Sequence, residues 1–265
     1  GFPVEASGCR KCGLVFLNPV MTVEGYRDFY ANTYRPLVSA YHGRLIDAGS
    51  IQAEQRVYAI ERAALLAPFV GRVNPSTLLD VGGSTGVVAH HLSNRFNLDA
   101  TVIDPAPLEI EEAKRLGLEA FIGLAEEFDP GDRKFDFVVM CQTVDHLLDI
   151  DGTLRAIRRL ISNDGGLFFV DIVDFRAAYL RGWSVEEAIK IDHPYYLTEA
   201  TIEAFLISAG FDVLLTDYAE DHLHVGYVCR PATPMPVDRA LPALSITAEL
   251  WREIRTVQGT RRCTT

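Results

Sequence analysis

The chain has no run approaching the roughly 20 apolar residues that a membrane-spanning helix needs; even Leu167 to Phe175 is interrupted by Asp171 and Asp174. It is also short of positive charge. With 25 Lys+Arg against 36 Asp+Glu, the formal net charge is −11, which opposes long-range attraction to phosphate backbones and to anionic lipids. These two lacks argue against a nucleic-acid or membrane partner and point to a cytoplasmic protein. No secretory signal is read in the first residues, although the chain begins at Gly1 rather than Met. Internal repeats and low-complexity tracts are missing as well.

Cysteine is scarce, with five residues and a single close pair. Cys141 and Cys229 lie in apolar segments and read as small buried residues, while Cys263 falls in a polar tail. Only Cys9-Arg10-Lys11-Cys12-Gly13 has metal-ligand spacing, and Cys9 and Cys12 supply half of a four-ligand zinc site. The bland alternative is a pair of spare thiols.

What the chain does have is 265 residues with 48% hydrophobic content, enough for one well-buried core plus additions. Its most informative stretch is Leu78-Leu79-Asp80-Val81-Gly82-Gly83-Ser84-Thr85-Gly86, an apolar strand running into an acid and a glycine-rich turn that opens a helix. Gly82 and Gly86 lack a Cβ, so the backbone can bend tightly and approach a ligand, with the free N–H groups of the next helix pointing at it. A dinucleotide fingerprint would need further glycines where Ser84 and Val87, or Thr85 and Val88, stand. That spacing fails.

Other strands ending in polar residues follow in order. Ala100 to Pro105 is apolar and ends on Asp104, 24 residues after Asp80, where a carboxylate can accept both hydrogen bonds of a ribose diol. Next come Ala120 to Gly123 with Ala125-Glu126-Glu127 behind it, Phe135 to Gln142 leading into Thr143-Val144-Asp145-His146-Leu147-Leu148, and Gly165 to Asp171. With these motifs in this order, the chain resembles the class I S-adenosylmethionine-dependent methyltransferases from about Thr77 to Arg230. The resemblance implies an α/β fold: a Rossmann-like, doubly wound, mostly parallel seven-stranded sheet closed by a C-terminal antiparallel hairpin, for which Phe211 to Thr216 and Leu223 to Cys229 are the candidate strands. It implies S-adenosylmethionine as cofactor, with Asp80 toward the methionine amino group, Gly82, Gly83 and Gly86 shaping the turn, and Asp104 with Pro105 at the ribose. Ala125 and Glu126 would serve the adenine, and the Cys141-Gln142 backbone the methionine end. For Asp80 and Asp104 the bland alternative is a strand-end acid capping the next helix.

The first residues resemble the leader of a methyltransferase group associated with sugar and secondary-metabolite tailoring. There a preceding Cys-x-x-Cys completes a zinc ribbon, so zinc is implied here if such a pair lies upstream. Tyr26, Phe29 and Tyr30 fall at helical spacing and read as a packing face, with a lid over the cofactor as the functional alternative. Ala53, Val57, Ile60, Ala64 and Leu65 repeat at helical intervals, and Pro68 and Gly71 are expected to end that helix. Leu197-Thr198 opens another, stopped by Gly210. Pro231, Pro234 and Pro236 punctuate a linker, after which Ile246, Leu250, Ile254 and Val257 predict a terminal amphipathic helix. That helix could pack on the domain, make a homodimer or begin a further domain. The division read from these signals is a leader and helical lid at 1–70, the methyltransferase domain at 71–232, and linker plus helix at 233–265.

The sulfonium already activates its methyl group, so binding, water exclusion and alignment are the protein's main tasks. An oxygen or nitrogen acceptor must also lose a proton, and histidine is the commonest base near neutral pH. His146 and His193 are the candidates. His222 and His224 read as sharing a strand face, and His90 and His91 as packing or surface residues. The reading is methyl transfer to a sugar, nucleotide-sugar or natural-product scaffold; an NAD(P)-dependent oxidoreductase and a non-catalytic cofactor-binding scaffold are the rivals.

Overall fold

The parallel strands predicted from apolar runs form in a computed structural model that describes residues 5–162 and 165–262, apart from the side chains of Glu126 and of residues 260–262; Cys263 lies outside the described residues. In chain order the strands are β1 (Ala6–Gly8), β2 (Val15–Leu17), β3 (Thr77–Val81), β4 (Asp99–Asp104), β5 (Glu119–Ile122), β6 (Phe137–Met140), β7 (Leu167–Val173), β8 (Tyr195–Tyr196), β9 (Phe211–Tyr218) and β10 (His224–Pro231). Seven of them make one sheet in the order β5-β4-β3-β6-β7-β10-β9. β3 runs parallel to both β4 and β6, and β4 parallel to β5. β9 and β10 are antiparallel, with an irregularity between Val228 and Cys229. This is the fold expected from the sequence, closing hairpin included.

The chain divides into two compact units, one of residues 1–20, 142–158 and 170–265, the other of residues 21–141 and 159–169. In the second unit β3, β4 and β6 are apolar on both faces, as parallel strands covered by helices must be; Leu78, Leu79, Val102, Val138 and Val139 are fully buried. The long helix Ala48–Val73 is capped by Asp47, whose carboxylate accepts the Ser50 N–H at 2.9 Å. Pro68 does not end it, and neither does Gly71: the helix continues because Leu66 and Val70 remain buried, so packing outweighs the missing proline N–H. The buried face also differs from the expected one. Val57 and Ile60 are exposed, and Ile51, Ala59, Arg62, Ala63 and Leu66 face inward. The Arg62 guanidinium lies over the rings of Tyr58 and Phe169.

In the first unit, β1, β2 and β8 form a small antiparallel sheet. The terminal helix runs Leu244–Arg262 and packs Leu250, Ile254 and Val257 into one core with Val15, Leu17, Phe175, Tyr179 and Tyr196. Of the three uses open to that helix, packing on its own unit is the one seen. The helix Glu199–Ala209 starts at Thr198, which forms a capping box with Thr201, and stops at Gly210 with φ 95°.

Candidate active site

The glycine-rich turn sits between β3 and the helix Val87–Phe96, whose N-cap is Gly86. Gly82 and Gly86 take left-handed φ of 72° and 76°, and Ser84 takes 49° without being glycine. The Gly82 N–H donates to the Ile103 carbonyl at 2.8 Å, which ties the turn to β4. A Cβ on Gly83 would come within 2.7 Å of the Asp80 carboxylate, so this glycine allows the backbone to close over that acid. A Cβ on Gly86 would meet Ala113 and Leu118 at 2.8 Å, so glycine at 86 is required by packing of the turn on the helix Pro107–Arg115.

Asp80 has no exposed surface, and among the described residues neither carboxylate oxygen has a hydrogen-bond partner. Burial pushes its carboxyl up to about 7, the charge of Asp104 adds to the rise, and the Ala89 N–H opposes it. Asp104 is more firmly held: Oδ2 accepts the Ser84 N–H at 2.9 Å and Oδ1 the Ala106 N–H at 2.8 Å. Burial lifts it to about 6, against those two N–H groups, with Glu109 raising and Arg35 lowering it. These two bonds fix the acid ahead of the helix Pro107–Arg115 without capping it, and they leave room for the ribose contact that the resemblance implies, because a carboxylate has about four acceptor positions and two remain. Pro105 follows directly, and Ala125 opens a short 3₁₀ turn, Ala125–Glu127.

The helical leader reaches these loops. Arg35 Nε donates to Glu109 Oε1 at 2.7 Å beside Asp104, and Arg27 pairs with Glu127 behind Ala125. Tyr26 and Phe29 are buried, and Tyr26 meets Tyr30 edge-on at 5.1 Å, so these aromatics are a packing face.

Cys141 lies one residue beyond β6 and is half-buried, not the fully buried strand residue expected; Cys229 is, and burial pushes its thiol up. Gln142 takes φ 51° and gives its N–H to Asp171 Oδ1 at 2.6 Å.

In the first unit, the structure brings His146 and His193 together, with ring centroids 4.2 Å apart. It adds a residue that sequence reasoning passed over. Asp145 Oδ2 lies 3.0 Å from His193 Nδ1, and both side chains are buried. Burial would raise Asp145, but the neighbouring imidazoles, His193 first, hold it well below the usual carboxylate range; His193 is raised by Asp145 in spite of burial. His146 Nδ1 faces the Asp192 carbonyl at 3.0 Å, and burial followed by the charge of His193 keeps its pKa low. The three groups offer ligand-type atoms within 4.8 Å of one another, so a cation could also be held there. Asp145 and His193 border a cavity of about 270 Å³ shared with Phe175, Lys190, Tyr195 and Tyr196. The clue in the sequence was the segment Asp145-His146, whose acid stands beside its histidine.

His222 and His224 do not share a strand face. His222 sits in the turn before β10 with φ 53°, and His224 Nδ1 pairs with Asp221 Oδ2 at 2.5 Å. His90 lies on the helix Val87–Phe96 beside Asn94, at 3.1 Å, and His91 is half-buried on the same helix.

At Cys9-Cys12 the chain makes a tight turn closed by Cys9 N–H to Leu14 O at 2.8 Å and Gly13 N–H to Cys9 O at 2.9 Å. The N–H groups of Cys12 and Lys11 lower the Cys9 thiol, while burial raises Cys12. Among the described residues no third ligand joins this pair.

Residues 52–216 match the family described as a methyltransferase domain. The chain belongs to that family. It is 27% identical over 152 residues to a ubiquinone biosynthesis O-methyltransferase of Azorhizobium caulinodans, a match that spans 51% of this chain and 58% of that protein. It is 28% identical over 223 residues to a malonyl-[acyl-carrier protein] O-methyltransferase of Geobacter sulfurreducens, covering 78% and 83% of the two chains. Among solved structures, magnesium protoporphyrin IX methyltransferase from Synechocystis PCC 6803 with bound SAH shares the fold with TM-score 0.59 at 12% identity, over 77% of this chain and 96% of that one. A DhpI–SAH complex does so with TM-score 0.54 at 20% identity, over 80% and 99%. The protein is therefore a class I S-adenosylmethionine-dependent methyltransferase, and the oxidoreductase alternative is set aside. The buried, unpartnered Asp80 and the two spare acceptor positions of Asp104 fit a cofactor that carries an ammonium and a ribose diol. Among the described residues, no helix of this methyltransferase is long and apolar enough to cross a membrane.

Proposed function

We propose that this methyltransferase transfers a methyl group to a hydroxyl oxygen of a small molecule, a phenol, sugar or natural-product scaffold, with His193 as the base and Asp145 as its positioning residue. Both matched relatives named above are O-methyltransferases. The observation that carries the choice of a hydroxyl is the buried Asp145–His193 pair at 3.0 Å beside the 270 Å³ cavity. A carboxylate acceptor has no proton to lose at neutral pH; a hydroxyl does, and a buried imidazole fixed by a carboxylate is built to take it.

When bound, S-adenosylmethionine supplies an electrophilic methyl group and needs no Lewis acid. Asp80 would balance the cofactor's ammonium through the turn or a water, since Gly83 covers its carboxylate. Asp104, held by Ser84 and Ala106, would accept from the ribose hydroxyls. Asp145 would hold the His193 ring and stabilise its imidazolium once the acceptor proton arrives, and Phe175, Tyr195 and Tyr196 would wall off water. The test is a panel of phenols, sugars and carboxylates assayed for S-adenosylhomocysteine release. Turnover confined to carboxylates would overturn the proposal.

A further inference from the structure

In a chain of net charge −11 one groove is lined, among the described residues, by three guanidinium groups and no carboxylate. It has a volume of about 830 Å³ and lies between the first hairpin, which gives Gly8 and Arg10, and the helix Leu244–Arg262, which gives Thr247, Trp251, Arg252 and Arg255. Residues 248, 251, 252 and 255 recur at helical intervals, so they form one face of that helix. The acids of the helix are turned elsewhere: Glu253 is taken by Arg176 at 2.8 and 3.0 Å and by the Tyr179 hydroxyl at 2.5 Å, and Glu249 lies in the field of Arg176. Arg10, Arg252 and Arg255 pair with no acid among the described residues.

The floor of the groove is also under-satisfied. Thr247 is 3% exposed, and among the described residues neither its Oγ1 nor the Trp251 indole N–H has a hydrogen-bond partner. The indole is fixed in place by close contact with Gly8, where an added Cβ would lie 1.9 Å from the ring. Like charges crowded on one helix face are destabilising until a counter-charge arrives, and guanidinium forks match phosphate oxygens bidentately.

We propose that this groove binds the phosphate of a phosphorylated small molecule, with Arg10, Arg252 and Arg255 as its cationic wall. The chemistry is shared by a nucleoside diphosphate and by a phosphopantetheine arm, and the inference is independent of the base and of the acceptor oxygen.

The probes are inorganic pyrophosphate, uridine diphosphate and phosphopantetheine, titrated by calorimetry and by tryptophan fluorescence. Saturable, salt-sensitive binding is expected, weakened about tenfold or more in the Arg252→Ala/Arg255→Ala double variant and weakened by less in the matching double Lys variant, which keeps the charge and loses the bidentate fork. Tighter binding of uridine diphosphate than of pyrophosphate would name a nucleotide source, and preference for phosphopantetheine a carrier arm. Circular dichroism and S-adenosylmethionine affinity should be unchanged in both variants, which separates a lost site from a lost fold. Absence of saturation by all three probes at about 10 mM, or equal binding by the double Ala variant, would overturn the proposal.

Discussion

Ser84 gives its backbone N–H to Asp104 Oδ2 at 2.9 Å from a left-handed φ of 49°, so the turn after β3 and the loop after β4 are held by one bond made in a conformation that favours glycine. The Asp104 carboxylate is thereby oriented before any ligand arrives. Replacing Ser84 by glycine keeps the N–H and removes the strain. Ser84→Gly should raise stability by up to about 1 kcal/mol while leaving S-adenosylmethionine affinity near wild type. Thermal unfolding together with cofactor titration checks both; a marked loss of affinity would mean that the serine side chain itself serves the ligand.

Asp104→Ala removes the acceptor of the Ser84 and Ala106 N–H groups as well as the proposed ribose contact. Cofactor affinity should fall by roughly 1.5 to 3 kcal/mol, with some loss of stability from the two freed donors. Calorimetry on this variant beside Asp104→Asn separates the terms, because Asn keeps one oxygen acceptor. Unchanged affinity in the Ala variant would place the ribose elsewhere.

Asp80 sets a pH dependence of unusual sign. Its carboxyl is pushed from the ordinary 3.8 up to about 7, so the unfolded chain releases this proton first and the folded chain binds more protons between those values. Its contribution therefore falls as pH climbs from about 4 to 7, by on the order of a few kcal/mol. Asp80→Asn should melt higher than wild type at pH 8 without ligand and show no such advantage near pH 4. The same variant should bind S-adenosylmethionine at least tenfold more weakly, since the proposal gives Asp80 the task of balancing the ammonium. Melting curves of the two proteins across pH 4 to 8, with and without cofactor, give the comparison; an equal difference at every pH would contradict the assignment.

His193→Ala should lower the maximal rate about a hundredfold or more and leave S-adenosylmethionine affinity near wild type. Asp145→Asn should lower the rate less, and added imidazole should restore part of the His193→Ala loss. Prolonged dialysis against a chelator should leave the rate intact for proton transfer by the imidazole, whereas a rate lost to chelation and recovered with a divalent cation would show that the cluster of Asp145, His146 and His193 works as a cation site. His146→Ala should be the milder of the two histidine variants, because burial and the charge of His193 keep the pKa of the His146 imidazole low.

Zinc should bind this chain weakly and come off on dialysis, because Cys9 and Cys12 supply two of the four ligands that a structural site needs and no third group joins them among the described residues. Elemental analysis after gel filtration is the check. One tightly held zinc per chain would show that other residues complete the site.

Sequence alone determined the central strands, the glycine turn and the acids at the ends of β3 and β4. Each rests on a local rule: apolar runs flanked by breakers, positive φ tolerated by glycine, and a polar residue where a buried strand surfaces. The family followed from those, because glycine spacing is covalent information. Tertiary structure decided which face of the helix Ala48–Val73 is buried, since Val57 and Ile60 fit the helical period as well as Ala59 and Ala63 do, and only the packing partners choose. It decided that Pro68 would be carried inside that helix. It also decided that Asp145 meets His193, 48 residues away in the chain, and that an arginine face would form beside Gly8: chain separation hides such pairings, and burial alone makes them matter.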